Sequence, residues 1–297
     1  MSDFVVEMNN VRKSFRKTEA LCGLNLQVPA GSIYGLLGRN GAGKTTAIKL
    51  LMGMLKADSG DARVFGLPVA DTAEGIEIRR RIGFVAEEKE LYPYMTVDQM
   101  IRFTRPFFQK WRKDLEQRYL KMFDLPSDRK IPKLSKGMRS KLMLLLALCR
   151  GAELLILDEP MEGLDPSANE DVLRELVDLA AAEGTTIFFS SHQIADVEQI
   201  ADRVSIIDHG ISLLADRLDA MKDRYQRIQI VFPDGVPSSI QWVDGVEQLR
   251  QDGRMVSILA GRNQEAILAQ GRSFPGASVE SFPLTLKEIF LGHVGSH

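Results

Sequence analysis

The chain has 297 residues, 44% hydrophobic and 26% charged, with a formal net charge of −2. These values suit one large or two modest globular domains and argue against a nucleic-acid partner, whose contact surface shows as a strongly basic balance. The longest apolar run, Leu142 to Cys149, falls far short of the roughly 20 residues that cross a bilayer, and MSDFVVEMNN lacks the basic start and apolar core of a secretory signal.

In chain order, FVVEMNNV and LCGLNLQV read as strands, and GSIYGLL as a buried strand running into a glycine-rich turn. An apolar helix is predicted over 44–55, then strand and turn over 60–70 and a short buried strand, IGFVA, at 82–86. Residues 97–123 are predicted to be helical and amphipathic, carrying Phe103, Phe107, Phe108 and Trp111, whose near-helical spacing suits core or partner-facing packing. The stretch LSKGMR reads as a Ser-bearing turn that opens a helix ending near Arg150-Gly151. ELLILDEP, TTIFFSS and RVSIID are strands separated by helices over 167–182 and 193–201, and this alternation predicts a parallel sheet flanked by helices. After about residue 224 the pattern changes. RIQIVF and MVSILA read as strands and NQEAILAQ as a helix, giving a small α+β appendage over 225–297. Cys22 and Cys149 read as reduced core thiols.

Three stretches carry chemistry. GRNGAGKTT, Gly38 to Thr46, fits GxxxxGK[ST] between a predicted strand and a predicted helix, the context that confirms a phosphate-binding loop. Its backbone N–H groups converge on phosphate oxygens and the helix N-terminus adds a favourable dipole. Lys44 is predicted to reach the β- and γ-phosphates and Thr45 to ligate Mg²⁺. LLILDEP ends a buried strand in two carboxylates. Asp158 is placed to hold the metal and Glu159 to activate water, since ligands of open α/β sheets lie outside the carboxyl ends of the strands. His192 follows the next strand and is a candidate γ-phosphate sensor. LSKGMR itself is an anion site without a catalytic group.

On these residues the chain resembles the ATP-binding cassette (ABC) ATPases over about 4–215, because the family's motifs occur in order. Phe15 matches the aromatic that stacks on adenine. Gly38, Asn40, Gly41, Ala42, Gly43, Lys44, Thr45 and Thr46 match the Walker A loop. LSKGM matches the signature written LSGGQ in many members, and Asp158 and Glu159 match the Walker B aspartate and catalytic glutamate. Gly163-Leu164-Asp165 match the D-loop and His192 the switch histidine. The resemblance implies a P-loop α/β core with a parallel sheet, an antiparallel β subdomain and a helical subdomain over about 93–150. It places the nucleotide-binding domain at 1–224 and the accessory domain at 225–297. ATP and Mg²⁺ are the implied cofactors, with Glu159, His192 and Lys44 catalytic and Thr45, Asp158 and Glu87 on the metal. Ser135 and Gly137 are implied to act in trans on a second ATPase subunit's nucleotide, in a homodimer or a heterodimer.

Four positions depart from the family pattern. Glu87 stands where Gln is usual, in the segment IGFVAEEKELYPYMTV. Lys136 and Met138 replace a glycine and a glutamine of the signature, and Met161 stands where Thr is common. The short single cassette resembles ATPases paired with ABC-2-type permeases. It implies an exporter motor held at the cytoplasmic face by a separate integral membrane permease, docked on residues around Glu87 to Phe108. A soluble ABC ATPase acting on a macromolecular assembly is the second reading, but such proteins usually fuse two cassettes or carry long coiled coils. A P-loop kinase or GTPase is the third.

Overall fold

The computed structural model describes residues 3–70, 72–88 and 90–294. Lys89, within the expected docking stretch, and the last residues of the expected appendage lie outside the described residues. The chain divides into two compact units, Met1–Ala215 and Asp216–His297. The first unit runs β1 (Phe4–Phe15), β2 (Thr18–Pro29), β3 (Ile33–Leu37), α1 (Lys44–Leu51), β4 (Ser59–Val64), β5 (Leu67–Pro68), α2 (Thr72–Arg81) and β6 (Ile82–Val85). It continues α3 (Val97–Thr104), α4 (Lys113–Met122), α5 (Lys136–Leu148), β7 (Leu154–Asp158), α6 (Pro166–Glu183), β8 (Thr186–Ser191), α7 (Ile194–Ile200), β9 (Arg203–Asp208) and β10 (Ile211–Arg217).

Two sheets form this unit, one ordered β2-β1-β4-β5 and antiparallel, the other β10-β9-β3-β8-β7-β6. In the second sheet β9, β3, β8, β7 and β6 are mutually parallel. Strands β3, β7 and β8 are buried at every residue, which explains their unbroken apolar sequence. α1 is buried through Ala47, Ile48, Leu50 and Leu51 in one core with Val6, Met8 and Leu24 of the antiparallel sheet and Leu36, Ile156 and Phe188 of the parallel one. Each of the Val, Leu, Ile, Met and Phe side chains among them contributes about 1.5–3 kcal/mol by leaving water. The first turn of the sequence-predicted helix 44–55 therefore stands where two sheets fix it. The helix ends at Leu51, and Gly53 at φ +67 carries the chain away.

The stretch 97–123, expected to be helical, is divided into two helices. Pro106 sits in a 3₁₀ turn over Arg105–Phe107, and Phe108 is extended at φ −124 and ψ 112. Proline supplies no N–H to continue the ladder. Side-chain bonds hold the break: Arg105 and the Trp111 indole both donate to Glu116, at 2.6 Å each. The broken phase also changes where the aromatics point. Phe103 and Phe107 are 42% and 65% exposed, so core packing fails for both.

The second unit comprises α8 (Leu218–Arg224), β11 (Gln226–Val231), β12 (Val246–Asp252), β13 (Met255–Ala260), α9 (Gln264–Ser273), β14 (Ser278–Pro283) and α10 (Leu286–His293). Its sheet is antiparallel in the order β12-β13-β11-β14. The apolar strands β11 and β13 are central and read clearly in the sequence. β12 and β14 are edges with mostly exposed residues, and so carry little periodic signal.

Close packing sets α7, which follows His192, against β3. A Cβ on Gly35 would lie 2.6 Å from Val197 Cγ1, and Val197 is fully buried. Gly35→Ala is expected to destabilise the chain by about 1–3 kcal/mol by overpacking, read as a lowered midpoint in thermal denaturation. Val197→Ala in the same background recovers part of the loss.

Candidate functional site

The order β3-β8-β7-β6 brings four carboxyl ends to one edge of the sheet. From β3 comes the loop 38–43, from β8 His192, from β7 Asp158 and Glu159, and from β6 Glu87. A cavity of about 410 Å³ opens there, lined by Asn40, Gly41, Gly43, Lys44, Thr45, Thr46, Glu87 and Glu159, all sequence-predicted, together with Ala20 and Arg39. Gly38 and Ala42 are buried beneath it.

The loop conformation demands glycine. Gly43 caps α1 at φ +107, and a Cβ there would meet Ala20 O at 2.7 Å. Lys44, Thr45 and Thr46 of the first turn of α1 line the cavity, and the free N–H groups of a helix start suit an anion.

Lys44 is 5% exposed. Its ammonium donates to Gly38 O at 2.8 Å and pairs with Glu159 Oε1 at 3.2 Å. The other oxygen of that carboxylate, Glu159 Oε2, lies 2.8 Å from His192 Nδ1, where an ionised carboxylate requires the ring nitrogen to donate. The strand ends thus bring the loop lysine, the water-activating candidate and the histidine into contact. Glu159 adopts a left-handed backbone at φ +46, a strained conformation for a non-glycine residue.

Ser190, fully buried on β8, is a residue that the sequence reading passed over. Its hydroxyl donates to Asp158 Oδ1 at 2.6 Å and accepts from the Glu159 N–H at 3.0 Å. It therefore orients both carboxylate-bearing residues at once. The available signal was a polar pair, Ser190-Ser191, closing an otherwise apolar strand.

Asp158 is 2% exposed. Burial pushes its carboxyl above the usual range, the neighbouring Ser190 and Thr45 hydroxyls oppose the shift, and the charges of Glu87 and Glu159 reinforce it. Thr45 Oγ1 donates to Glu87 Oε2 at 3.0 Å. Thr45, Glu87 and Asp158 together form a hard-oxygen set suited to a divalent cation. Among the described residues no three His, Cys, Asp or Glu side chains gather as a metal cluster.

Ser135 and Gly137 do not line this cavity. Ser135 caps α5, its Oγ accepting the Met138 N–H at 3.1 Å. Lys136 pairs with Glu162 at 2.6 Å. Phe15 stands off the lining, 45% exposed, with Lys13 Nζ 5.6 Å from its ring centre.

A family model described as ABC transporter matches residues 21–162. The uncharacterized ABC transporter ATP-binding protein YhaQ of Bacillus subtilis is 31% identical, the alignment covering 98% of this chain and 99% of the relative. The daunorubicin/doxorubicin resistance ATP-binding protein DrrA of Streptomyces peucetius is 37% identical, across 69% of this chain and 63% of its own length. A solved structure described as the ATP binding subunit of an ABC transporter superposes with a TM-score of 0.67 at 27% identity, covering 74% of this chain and 92% of that one.

Ser190→Ala leaves a buried carboxylate and a buried N–H without their shared partner. It is expected to cost about 1–3 kcal/mol, measured by chemical denaturation. Retention of full stability would show that the hydroxyl bridge is dispensable.

Proposed function

The chain belongs to the ATP-binding subunits of ABC transporters and is an ATPase, and from that premise we propose that it drives a separate transmembrane permease, as an exporter, by closing with a second ATPase subunit around ATP. The observation that carries the reading is the Lys44–Glu159–His192 contact at the mouth of the phosphate loop. ATP phosphates entering the loop draw the Lys44 ammonium away from Gly38 O and Glu159. The carboxylate so released becomes a base for water, at the position where His192 remains beside it. Lys44 and the loop N–H groups then face the charge that develops on the transferred phosphoryl group, and positioning and electrostatics carry most of the acceleration. Mg²⁺, when bound, neutralises phosphate charge, and Thr45, Asp158 and Glu87 would hold it. Phe15 is assigned to the adenine ring.

Two sites in a dimer are supported by what one chain lacks. Ser135 and Gly137 lie off the chain's own cavity, and their helix start presents N–H groups and basic residues without a catalytic group. They therefore suit the lid of another subunit's site. The second subunit is a copy of this chain or a different cassette.

Permease docking is supported by a chain of exposed aromatics. Tyr92 lies tilted against Tyr94 at 5.7 Å and meets Phe103 edge-on at 5.4 Å, and Phe103 meets Phe107 at 5.5 Å. Their exposures run from 42% to 67%, and large exposed apolar groups in contact mark interaction surfaces. No helix among the described residues is long and apolar enough to cross a membrane, which accords with a separate permease that holds the chain at the cytoplasmic face. Outward transport is supported by the relative named for drug resistance.

Glu159→Gln is expected to lower turnover by at least about 100-fold while an ATP-bound dimer accumulates, read by light scattering. A variant that stays monomeric with ATP contradicts the two-site reading. Glu87→Gln is expected to change the Mg²⁺ concentration giving half-maximal turnover. An unaltered Mg²⁺ titration removes Glu87 from the metal.

A further inference from the structure

The start of α5 and the turn 159–165 form one packed piece. Gly137 has no room for a side chain, since a Cβ there would lie 2.6 Å from Gly163 O. The fully buried Ser140 hydroxyl lies within reach of two carbonyls, Lys136 O at 3.1 Å and Glu162 O at 3.0 Å. The methylene chain of Lys136 runs across Gly163, where a Cβ would meet its Cγ, Cδ and Cε at 3.1–3.5 Å. Its ammonium ends on Glu162 Oε1 at 2.6 Å. One turn further along α5, Lys141 pairs with Asp165 at 3.6 Å. On the other side, the Glu162 N–H donates to Glu159 O at 3.2 Å, so the piece begins at the strained residue whose carboxylate meets Lys44 and His192.

We propose that Lys136, standing where the resembled signature has glycine, is a positioning residue that couples the two nucleotide sites of the dimer. The inference rests on the two-site reading above. In that reading the turn at Ser135 and Gly137 serves the partner's nucleotide, while Glu159 serves the chain's own. The Lys136–Glu162 clasp joins these two functions within one chain. Closure of the turn on one nucleotide is carried through Gly163 and Glu162 to the backbone of Glu159 at the other. A glycine at this position supplies neither the stem across Gly163 nor the charge on Glu162. Exposed ion pairs are weak in isolation. This one joins two backbones already locked by Gly137 and Ser140, so its effect falls on their relative placement.

The test is ATP hydrolysis by the purified full chain over a range of ATP concentrations, with Lys136→Gly, Glu162→Gln and the charge-swapped pair Lys136→Glu/Glu162→Lys. Wild type is expected to show a Hill coefficient between about 1 and the two-site ceiling of about 2. Each single variant is expected to bring it to about 1, the value for independent sites, and the swapped pair to restore it. Light scattering of each variant in the Glu159→Gln background reports the dimer separately. Dimers with unchanged Hill coefficients overturn the coupling role and leave the two-site reading intact. Failure of Glu159→Gln alone to dimerise with ATP removes the two-site reading itself. Loss of the dimer in the single variants makes Lys136 a dimer contact, and a swapped pair that stays at about 1 dismisses the clasp. Each of these outcomes overturns the proposal.

Discussion

A full positive charge sits at Lys44 with 5% of its surface exposed, and the candidate site is organised around neutralising it. A buried ammonium is tolerated only with close acceptors. Gly38 O and Glu159 Oε1 supply them. For Glu159 to reach that position the chain must turn sharply out of β7, and it does so through a left-handed residue held by Ser190 from the neighbouring strand. His192, one strand over, occupies the remaining oxygen. Removing one member of a buried pair costs about 3–5 kcal/mol because the other charge stays behind. The same dependence makes the site responsive, because an anion that competes for Lys44 also frees Glu159.

Much of this was legible in the sequence because it rests on local rules. The loop GRNGAGKTT between strand and helix, and carboxylates at the end of an unbroken apolar strand, each state their geometry through backbone requirements. Gly43 shows why: its φ of +107 and the approach of Ala20 O admit no side chain. Ser190 was not legible, since its importance comes from strand order. Nothing in TTIFFSS says that β8 lies beside β7 with Ser190 in register with Asp158. In the sequence Lys136 shows only as a departure from the signature, because its pairing with Glu162 depends on a turn 26 residues away.

The break within 97–123 is hidden for a different reason. Aromatic spacing gave a continuous helical period, but Pro106 and the Glu116 acceptor break it. Periodicity reports a face only while the helix persists, so the phase was lost at the break. The edges β12 and β14 escaped notice because strands open to solvent need no alternation.

The exposed aromatics and the buried strand ends differ in what they tolerate. Tyr92, Tyr94, Phe103 and Phe107 lie in the segment inserted between β6 and β7 and bury little of themselves in the chain's own core. Exchanging them alters surface chemistry at small cost to folding, because exposed positions away from buried features tolerate substitution. The strand ends have no such latitude. Changes to that aromatic face therefore act on what the surface meets, whereas changes at Lys44, Asp158 or Ser190 disturb buried bonded groups.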